Sequence, residues 1–488
     1  MRSIVPLNFE WYFQKDFQKE HLEDYRNING FEKVELPHSN LLLPYNYLPE
    51  KINELLSTYK RILFLGVEYQ GKILQLVFEG VAHACDIYLN DRFLCHHEGG
   101  YTEFTVDITD SVVFDQDNYL TVVVDNHENK DIPPFGGQVD YLGYGGIYRE
   151  VQLLVLELNH IDSVYLDCND IDSDLLNIRA NTSCDRGEFL IKIFDQELLI
   201  LEKRQPVQGK SSAFSVRIKG KKLWTLDDPH LYDVRIMFLV GGVIQDNVSI
   251  RFGFREVKFT KNGFYLNRKH IKLRGLNRHQ SYPYVGYALP KSAQEKDADI
   301  LKYDLGVNIV RTSHYPQSRH FLNRCDEIGL LVFEEIPGWN YIGGKEFREN
   351  TLSNLQAMIQ HDYNHPCIIM WGVRINESMD DTELYRATNR LAHDLDKTRP
   401  TGGVRNLLNS EFLEDVYTYN DFIHSGKNEA LREPDQVKKG VPYLVTEHNG
   451  HMFPTKRYDD EPHRIEHMLR HYRVLNKAAA TSQISGAI

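Results

Sequence analysis

Cys367-Ile368-Ile369-Met370-Trp371-Gly372-Val373-Arg374-Ile375-Asn376-Glu377-Ser378 runs from an apolar stretch straight into an amide and a carboxylate. Tyr443-Leu444-Val445-Thr446-Glu447-His448 has the same build. Each apolar run reads as a short strand covered on both faces, because a half-exposed strand would alternate with polar residues. Buried parallel strands that end on polar residues are what a (β/α)8 barrel presents at its C-terminal face, where barrel active sites form. The two runs lie about two strand–helix units apart, so Glu377 and Glu447 are expected on different strands, facing one another across one opening. Two carboxyl groups so placed suit hydrolysis of a glycosidic bond.

Outward from this pair, strand and helix alternate after Val257. Residues 271–276, 308–311, 330–333 and 368–371 read as strands, and 292–303, 317–328 and 347–363 as helices. Further strands are predicted near Gly403, at 415–419, at 443–445 and from 484 onward. Repetition of that unit means a parallel sheet with crossover helices, closed into a barrel. The last predicted strand has no helix after it, so the expectation is a TIM barrel incomplete at its C-terminus, with unpaired edges. Before residue 157 the chain carries short strands punctuated by Gly, Asn and Asp, the pattern of a β-sandwich. Residues 157–256 hold a second β region with a hairpin turning at Gly241-Gly242, which reads as an immunoglobulin-like sandwich. The predicted domains are therefore 1–156, 157–256 and 257–488.

Composition narrows the function classes. A 488-residue chain is too long for one ordinary domain. A net charge of −13 disfavours nucleic acid and anionic membrane as partners. No apolar run approaches the ~20 residues that span a bilayer, and the first residues lack the apolar core of a signal peptide. Six scattered cysteines show no C-x-x-C spacing, so reduced thiols and a cytoplasmic location are expected. No Gly-rich loop followed by Lys-Ser/Thr supports nucleotide chemistry.

Polar residues recur at the predicted strand ends. His279 follows the first strand, His314 the second, Glu334-Glu335 the third, Asn376-Glu377 the fourth, Tyr419 the sixth and Glu447 the seventh. A retaining glycosidase needs one carboxyl group as acid and then base, and another as nucleophile. These roles fall to Glu377 and Glu447, with Asn376 placed to hold a sugar hydroxyl. Glu377 is expected to have a raised pKa from burial and from the charge on Glu447. His279 and His314 could ligate a metal, but no third ligand follows at metal spacing, so contacts to sugar hydroxyls or carboxylates are favoured. Glu334 and Glu335 are read first as partners of neighbouring Arg and His residues, with substrate contact as the alternative. Arg274 and Arg311 lie along barrel strands and are expected to pair with the catalytic carboxylates and set their pKa values.

These motifs, taken in order, resemble glycoside hydrolase family 2, the β-galactosidase/β-glucuronidase group. Leu36-Pro37-His38, Phe78-Glu79-Gly80-Val81, Gly99-Gly100-Tyr101 and Gly145-Gly146-Ile147-Tyr148-Arg149 match the pattern of its first domain. Gly253-Phe254-Arg255-Glu256-Val257 is similar to its entry into the barrel. Arg274-Gly275-Leu276-Asn277-Arg278-His279, Ser313-His314-Tyr315-Pro316, Asp326-Glu327-Ile328-Gly329-Leu330 and Asn364-His365-Pro366 resemble its barrel motifs. The resemblance implies a jelly-roll sugar-binding-type domain, an immunoglobulin-like domain and a (β/α)8 barrel. It implies an exo-acting retaining β-glycosidase, foremost a β-galactosidase, with β-glucuronidase, β-mannosidase or a non-catalytic carbohydrate-binding fragment as alternatives. It carries substrate contacts onto His279, His314, Asn376 and Tyr419. It also makes Asp140 the acidic residue reaching from the first domain to a sugar hydroxyl, against a plain reading as a turn aspartate. The partner is a carbohydrate, and the family allows a homo-oligomer.

Three departures stand out. Glu335-Ile336-Pro337-Gly338-Trp339 lacks the Glu and His that bind magnesium in some β-galactosidases, so no metal is assigned and neither magnesium nor sodium is expected as a required cofactor. His448-Asn449-Gly450-His451-Met452-Phe453-Pro454 is not the commonest pattern after the nucleophile. The sequence also stops where the eighth strand begins, before the aromatic strand end that floors the sugar site in the family.

Overall fold

A computed structural model describes all residues except 44–52, 138, 140, 169, 423–429 and 450–459, and the side chain of His463. The eight barrel strands are β1 (Leu273–Asn277), β2 (Ile309–Arg311), β3 (Leu331–Glu335), β4 (Ile368–Gly372), β5 (Thr401–Arg405), β6 (Val416–Asn420), β7 (Tyr443–Glu447) and β8 (Ile484–Ala487). They pair in sequence order into a closed parallel barrel. Between them run α1 (Lys291–Asp299), α2 (Arg319–Ile328), α3 (Lys345–Asp362), α4 (Thr382–Leu395), α5 (Pro434–Val437) and α6 (Glu461–Ala480). Five consecutive strands, β3 to β7, are buried along nearly their whole length, as double-sided cover requires.

The local signals account for the helix ends. Ser318 caps α2 by accepting a hydrogen bond from the His320 amide, and Gly329 ends it in the left-handed region at φ 71°. Asp381 caps α4 through the Leu384 amide. The predicted helix 292–303 is regular only over α1. Residues 300–304 form a wider π turn.

The expected open edge is absent. β8 pairs with β7 on one side and with β1 on the other, through Leu273↔Gly486 and Arg274↔Ala487. Ile484, Ser485, Ala487 and Ile488 are buried. Closure depends on a glycine: a Cβ on Gly486 would stand 2.0 Å from the Leu273 carbonyl oxygen. Below the barrel, a small sheet of Val257–Thr260, Gly263–Leu266 and Lys269–Ile271 puts Phe264 and Leu266 into the same core as Leu273, Ile309 and Ile488.

Two antiparallel sandwiches precede the barrel. The first stacks a four-stranded on a six-stranded sheet, from Ser3 to Leu156; the second stacks three strands on four, from Ile161 to Phe252. Both are docked by buried polar anchors. Arg149 donates to the carbonyls of Glu79 and Tyr101 in the first sandwich, and to Gln280 and the Pro316 carbonyl (2.8 Å) at the barrel mouth. Tyr101 stacks on Tyr315 with ring centroids 4.3 Å apart. Arg255, next to the second sandwich, donates to the carbonyls of Pro366 and Ile368. No helix among the described residues is long and apolar enough to cross a membrane.

Gly486→Ala forces β8 away from β1 at the closing seam. Chemical denaturation should show a loss of about 1–3 kcal/mol, the usual cost of overpacking a filled core. An unchanged midpoint would mean that the seam is not formed this way.

Candidate active site

The polar strand ends converge on one guanidinium. Arg311, at the end of β2, is fully buried and directs five N–H groups at five acceptors. Nε and Nη2 grip Glu335 at 3.0 and 2.8 Å. Nη2 also donates to Asn376 Oδ1 at 2.9 Å. Nη1 donates to Asn277 Oδ1 at 2.9 Å and to Glu447 Oε1 at 2.6 Å. Burial alone would weaken its charge, but Glu335 and Glu447 outweigh that and raise its pKa further. The arginine thus holds Glu447 in place with a charge-assisted bond.

Strict alternation along β7 would put Glu447 on the outer face with Tyr443 and Val445. The register shifts instead: Tyr419 pairs with Val445, and the next residue, Asn420, pairs with Glu447. The extra residue is a bulge, which re-aims a side chain at a strand end. Thr446 donates to Asn420 Oδ1 at 2.8 Å, and Asn420 Nδ2 donates to Glu377 Oε1 at 2.9 Å. Asn420 thereby links the two strands that carry the glutamates.

Glu377 lies just past β4 with φ 55°, a left-handed conformation unusual for glutamate. The backbone around it is pinned from both sides. The Asn340 amide donates to the Asn376 carbonyl at 2.8 Å, and the Glu377 amide donates to the Val404 carbonyl at 3.0 Å. Such strain persists only where the surroundings over-determine it, and it clusters at functional sites. Asn376 presents its oxygen to Arg311, which leaves its buried Nδ2 without an acceptor.

His279 and His314 stand beside this network. His314 Nδ1 lies 2.9 Å from Glu335 Oε1 and 2.9 Å from Arg311 Nη2. Burial and then the Arg311 charge push its pKa down to about 3. Burial, then His314 and Arg311, push His279 down to about 3 as well. Tyr141 from the first sandwich packs 4.8 Å from the His279 ring and 6.0 Å from His314. Glu335 is a partner of Arg311 and His314. Glu334 points the other way and accepts from the Gln317 amide at 3.3 Å.

Two expected site residues are elsewhere. Arg274 is exposed on the outer face of β1, where its Nε donates to the Gly306 carbonyl. Asn277 has the inward parity on that strand, so Arg274 cannot also face the carboxylates. Tyr419 lies on the outer face of β6, buried with Tyr417, Val474 and Ala478 between barrel and helix α6. The inward residue at that strand end is Asn420. Asp140 falls outside the described residues. Asn277 and Asn420 are the additions. Asn277 was visible in the Asn277-Arg278-His279 motif, but only its contact with Arg311 gives it a role.

Among the described residues one group of side chains has the mutual closeness of metal ligands, Asp326, His365 and Cys367. Its members already bond one another: His365 Nδ1 meets Asp326 Oδ2 at 2.5 Å, and the Cys367 amide donates to Asp326 Oδ1 at 2.9 Å. It lies at the opposite end of the strands from the glutamates.

Comparison with known proteins places this geometry. Residues 257–474 match the model of the glycosyl hydrolases family 2 TIM barrel domain, 160–255 that of glycosyl hydrolases family 2, and 44–157 that of the family's sugar binding domain. A β-galactosidase of Thermoanaerobacterium thermosulfurigenes is 48% identical over 505 residues, spanning 100% of this chain and 70% of that protein. A β-glucuronidase of Bacteroides fragilis is 30% identical, over 83% of this chain and 61% of its own length. The crystal structure of a Bacteroides uniformis β-glucuronidase superposes with a TM-score of 0.86 at 25% identity, covering 100% of this chain and 64% of that one. The chain thus spans roughly two thirds of the length of the relatives it matches.

Arg311→Met leaves the Glu335 carboxylate buried without its cation. Denaturation at neutral pH should show a loss of about 3–5 kcal/mol. Adding Glu335→Leu should recover much of it, and a strictly additive double variant would refute the pairing. The two histidines predict a pH dependence as well. An unfolded histidine titrates near 6.5, whereas both stay neutral in the fold down to about 3. Below pH 6.5 the unfolded chain therefore binds protons that the folded chain refuses, and stability falls as the pH drops toward 3. The slope should be shallower in His314→Asn; an identical slope would show that His314 charges freely in the fold.

Proposed function

Because this chain belongs to glycosyl hydrolase family 2, we propose that it hydrolyses terminal β-linked sugars, β-galactosides foremost, with retention of configuration. Glu447 is the nucleophile and Glu377 the acid/base. The observation that carries this reading is the five-way hold of Arg311, which joins Glu447 and Asn376 in one rigid network.

In the first step a Glu447 oxygen bonds to the anomeric carbon while the bond to the leaving oxygen breaks. Glu377 gives that oxygen its proton. In the second step Glu377 takes a proton from water, whose oxygen displaces Glu447 from the same carbon. Arg311 keeps Glu447 aimed, so little reorganisation is needed as charge builds at the sugar. Asn376 Nδ2 donates to the sugar 2-hydroxyl, a bond that strengthens in the transition state. The neutral rings of His279 and His314 offer hydrogen bonds to further hydroxyls without adding charge. Both proton transfers and the covalent step use carboxyl groups, so the reaction itself calls for no cofactor. Six free thiols favour a reducing compartment such as the cytoplasm.

The test is a panel of aryl β-galactoside, β-glucuronide and β-mannoside with the purified chain. Turnover of the galactoside, abolished in Glu447→Gln, is expected. Glu377→Gln should lose about 10²–10⁴-fold with a poor leaving group, and much less with a nitrophenolate that leaves without protonation. Preference for the glucuronide would replace the galactoside reading. Turnover that survives Glu447→Gln would overturn the mechanism.

A further inference from the structure

Directly after the nucleophile, the chain builds a histidine cluster that the glycosidase chemistry does not use. His467 and His471 are four residues apart on α6, so both project from one face of the helix. Their Nε2 atoms stand 3.3 Å apart and their ring centroids 4.9 Å. His448, joined to Glu447 by a single peptide bond, faces the same place, its ring centroid 5.6 Å from that of His471. Asn449 lies between them, with its amide nitrogen 3.1 Å from His448 Nδ1 and 3.5 Å from His471 Nδ1. The three rings are half-buried.

Two imidazole nitrogens bound to one tetrahedral Zn²⁺ at about 2.0–2.1 Å must lie about 3.3–3.4 Å apart. The His467–His471 separation meets that requirement without movement. We propose that His467 and His471 bind a divalent transition metal, with His448 turning inward as third ligand and water as fourth. Imidazole is a ligand for Zn²⁺, Co²⁺, Ni²⁺ and Cu²⁺ rather than for Mg²⁺ or Ca²⁺. Ligands must be neutral, and burial favours that for two of the rings: it pushes His448 down to about 4, with His471 adding to the shift, and His471 is lowered by burial and by His467. Turning the Asn449 amide over would present its oxygen to the Nδ1–H groups of His448 and His471, the outer support that metal-bound histidines usually have. An ion here ties helix α6 to residues 448–449, next to Glu447.

Without metal, a hydrogen bond between two neutral imidazoles also accounts for the 3.3 Å contact. Cobalt separates the two. The full chain, stripped with a chelator and titrated with Co²⁺, should develop the visible d–d bands of a four- or five-coordinate nitrogen site, saturating at one equivalent and bleached by Zn²⁺. His467→Ala and His471→Ala should abolish the bands while circular dichroism is unchanged, and Asn449→Ala should weaken binding by about 10–100-fold. Absence of the bands from the unaltered chain overturns the proposal. So does their survival in the doubly substituted chain. A sulfur-to-cobalt charge-transfer band would assign the ion to Cys367 instead, and overturns it too.

Discussion

The guanidinium of Arg311 is the constraint on which the rest of the site depends. A buried cation with no partner would cost far more than a small domain can supply, so each of its N–H groups needs an acceptor. The fold brings these from four strand ends: Asn277 of β1, Glu335 of β3, Asn376 beyond β4, and Glu447 of β7. The planar fork fixes angles as well as distances, which a lysine could not do. Once the arginine is satisfied, Glu447 has one orientation, and the buried Asn376 amide nitrogen is left without an acceptor.

That arrangement is rigid because the strands beneath it cannot slide. The barrel is closed by an eighth strand of four residues, and the approach is so tight that only glycine fits at position 486. On the outside, Trp224 from the second sandwich donates to the Asp326 carbonyl at 2.8 Å, and Asp326 in turn holds the loop before β4. At the mouth, Arg149 and the Tyr101–Tyr315 stack fasten the first sandwich to the loops that carry His279 and His314. The first sandwich therefore forms part of the wall of the site: its Tyr141 leans on both histidines.

The strand-end residues also show where alternation holds and where it fails. Along β1 and β6 the period of two is strict. It sends Arg274 and Tyr419 outward, and Asn277 and Asn420 inward. Along β7 the period breaks at Thr446, and the break is what turns Glu447 toward Arg311. A bulge of one residue is invisible in the string Leu444-Val445-Thr446-Glu447, because each residue is acceptable in a strand on either face.

The sequence by itself determined the family and the three-part order of two β regions and a barrel, and it singled out the two glutamates as candidates. Those features are written in local signals: apolar runs long enough for one strand, caps such as Ser318 and Gly329, and motifs whose residues are neighbours in the chain. It also pointed to His279, His314, Asn376 and Arg311, since a polar residue at the end of a buried strand has few other places to be. Only the tertiary structure decided which of two adjacent residues faces the opening, and so replaced Tyr419 with Asn420 and removed Arg274. It alone closed the barrel, because pairing between β8 and β1 joins residues more than 200 apart through backbone hydrogen bonds that carry no side-chain signature. The five acceptors of one arginine come from four strands far apart in sequence, and nothing in the order of residues sets their angles around it.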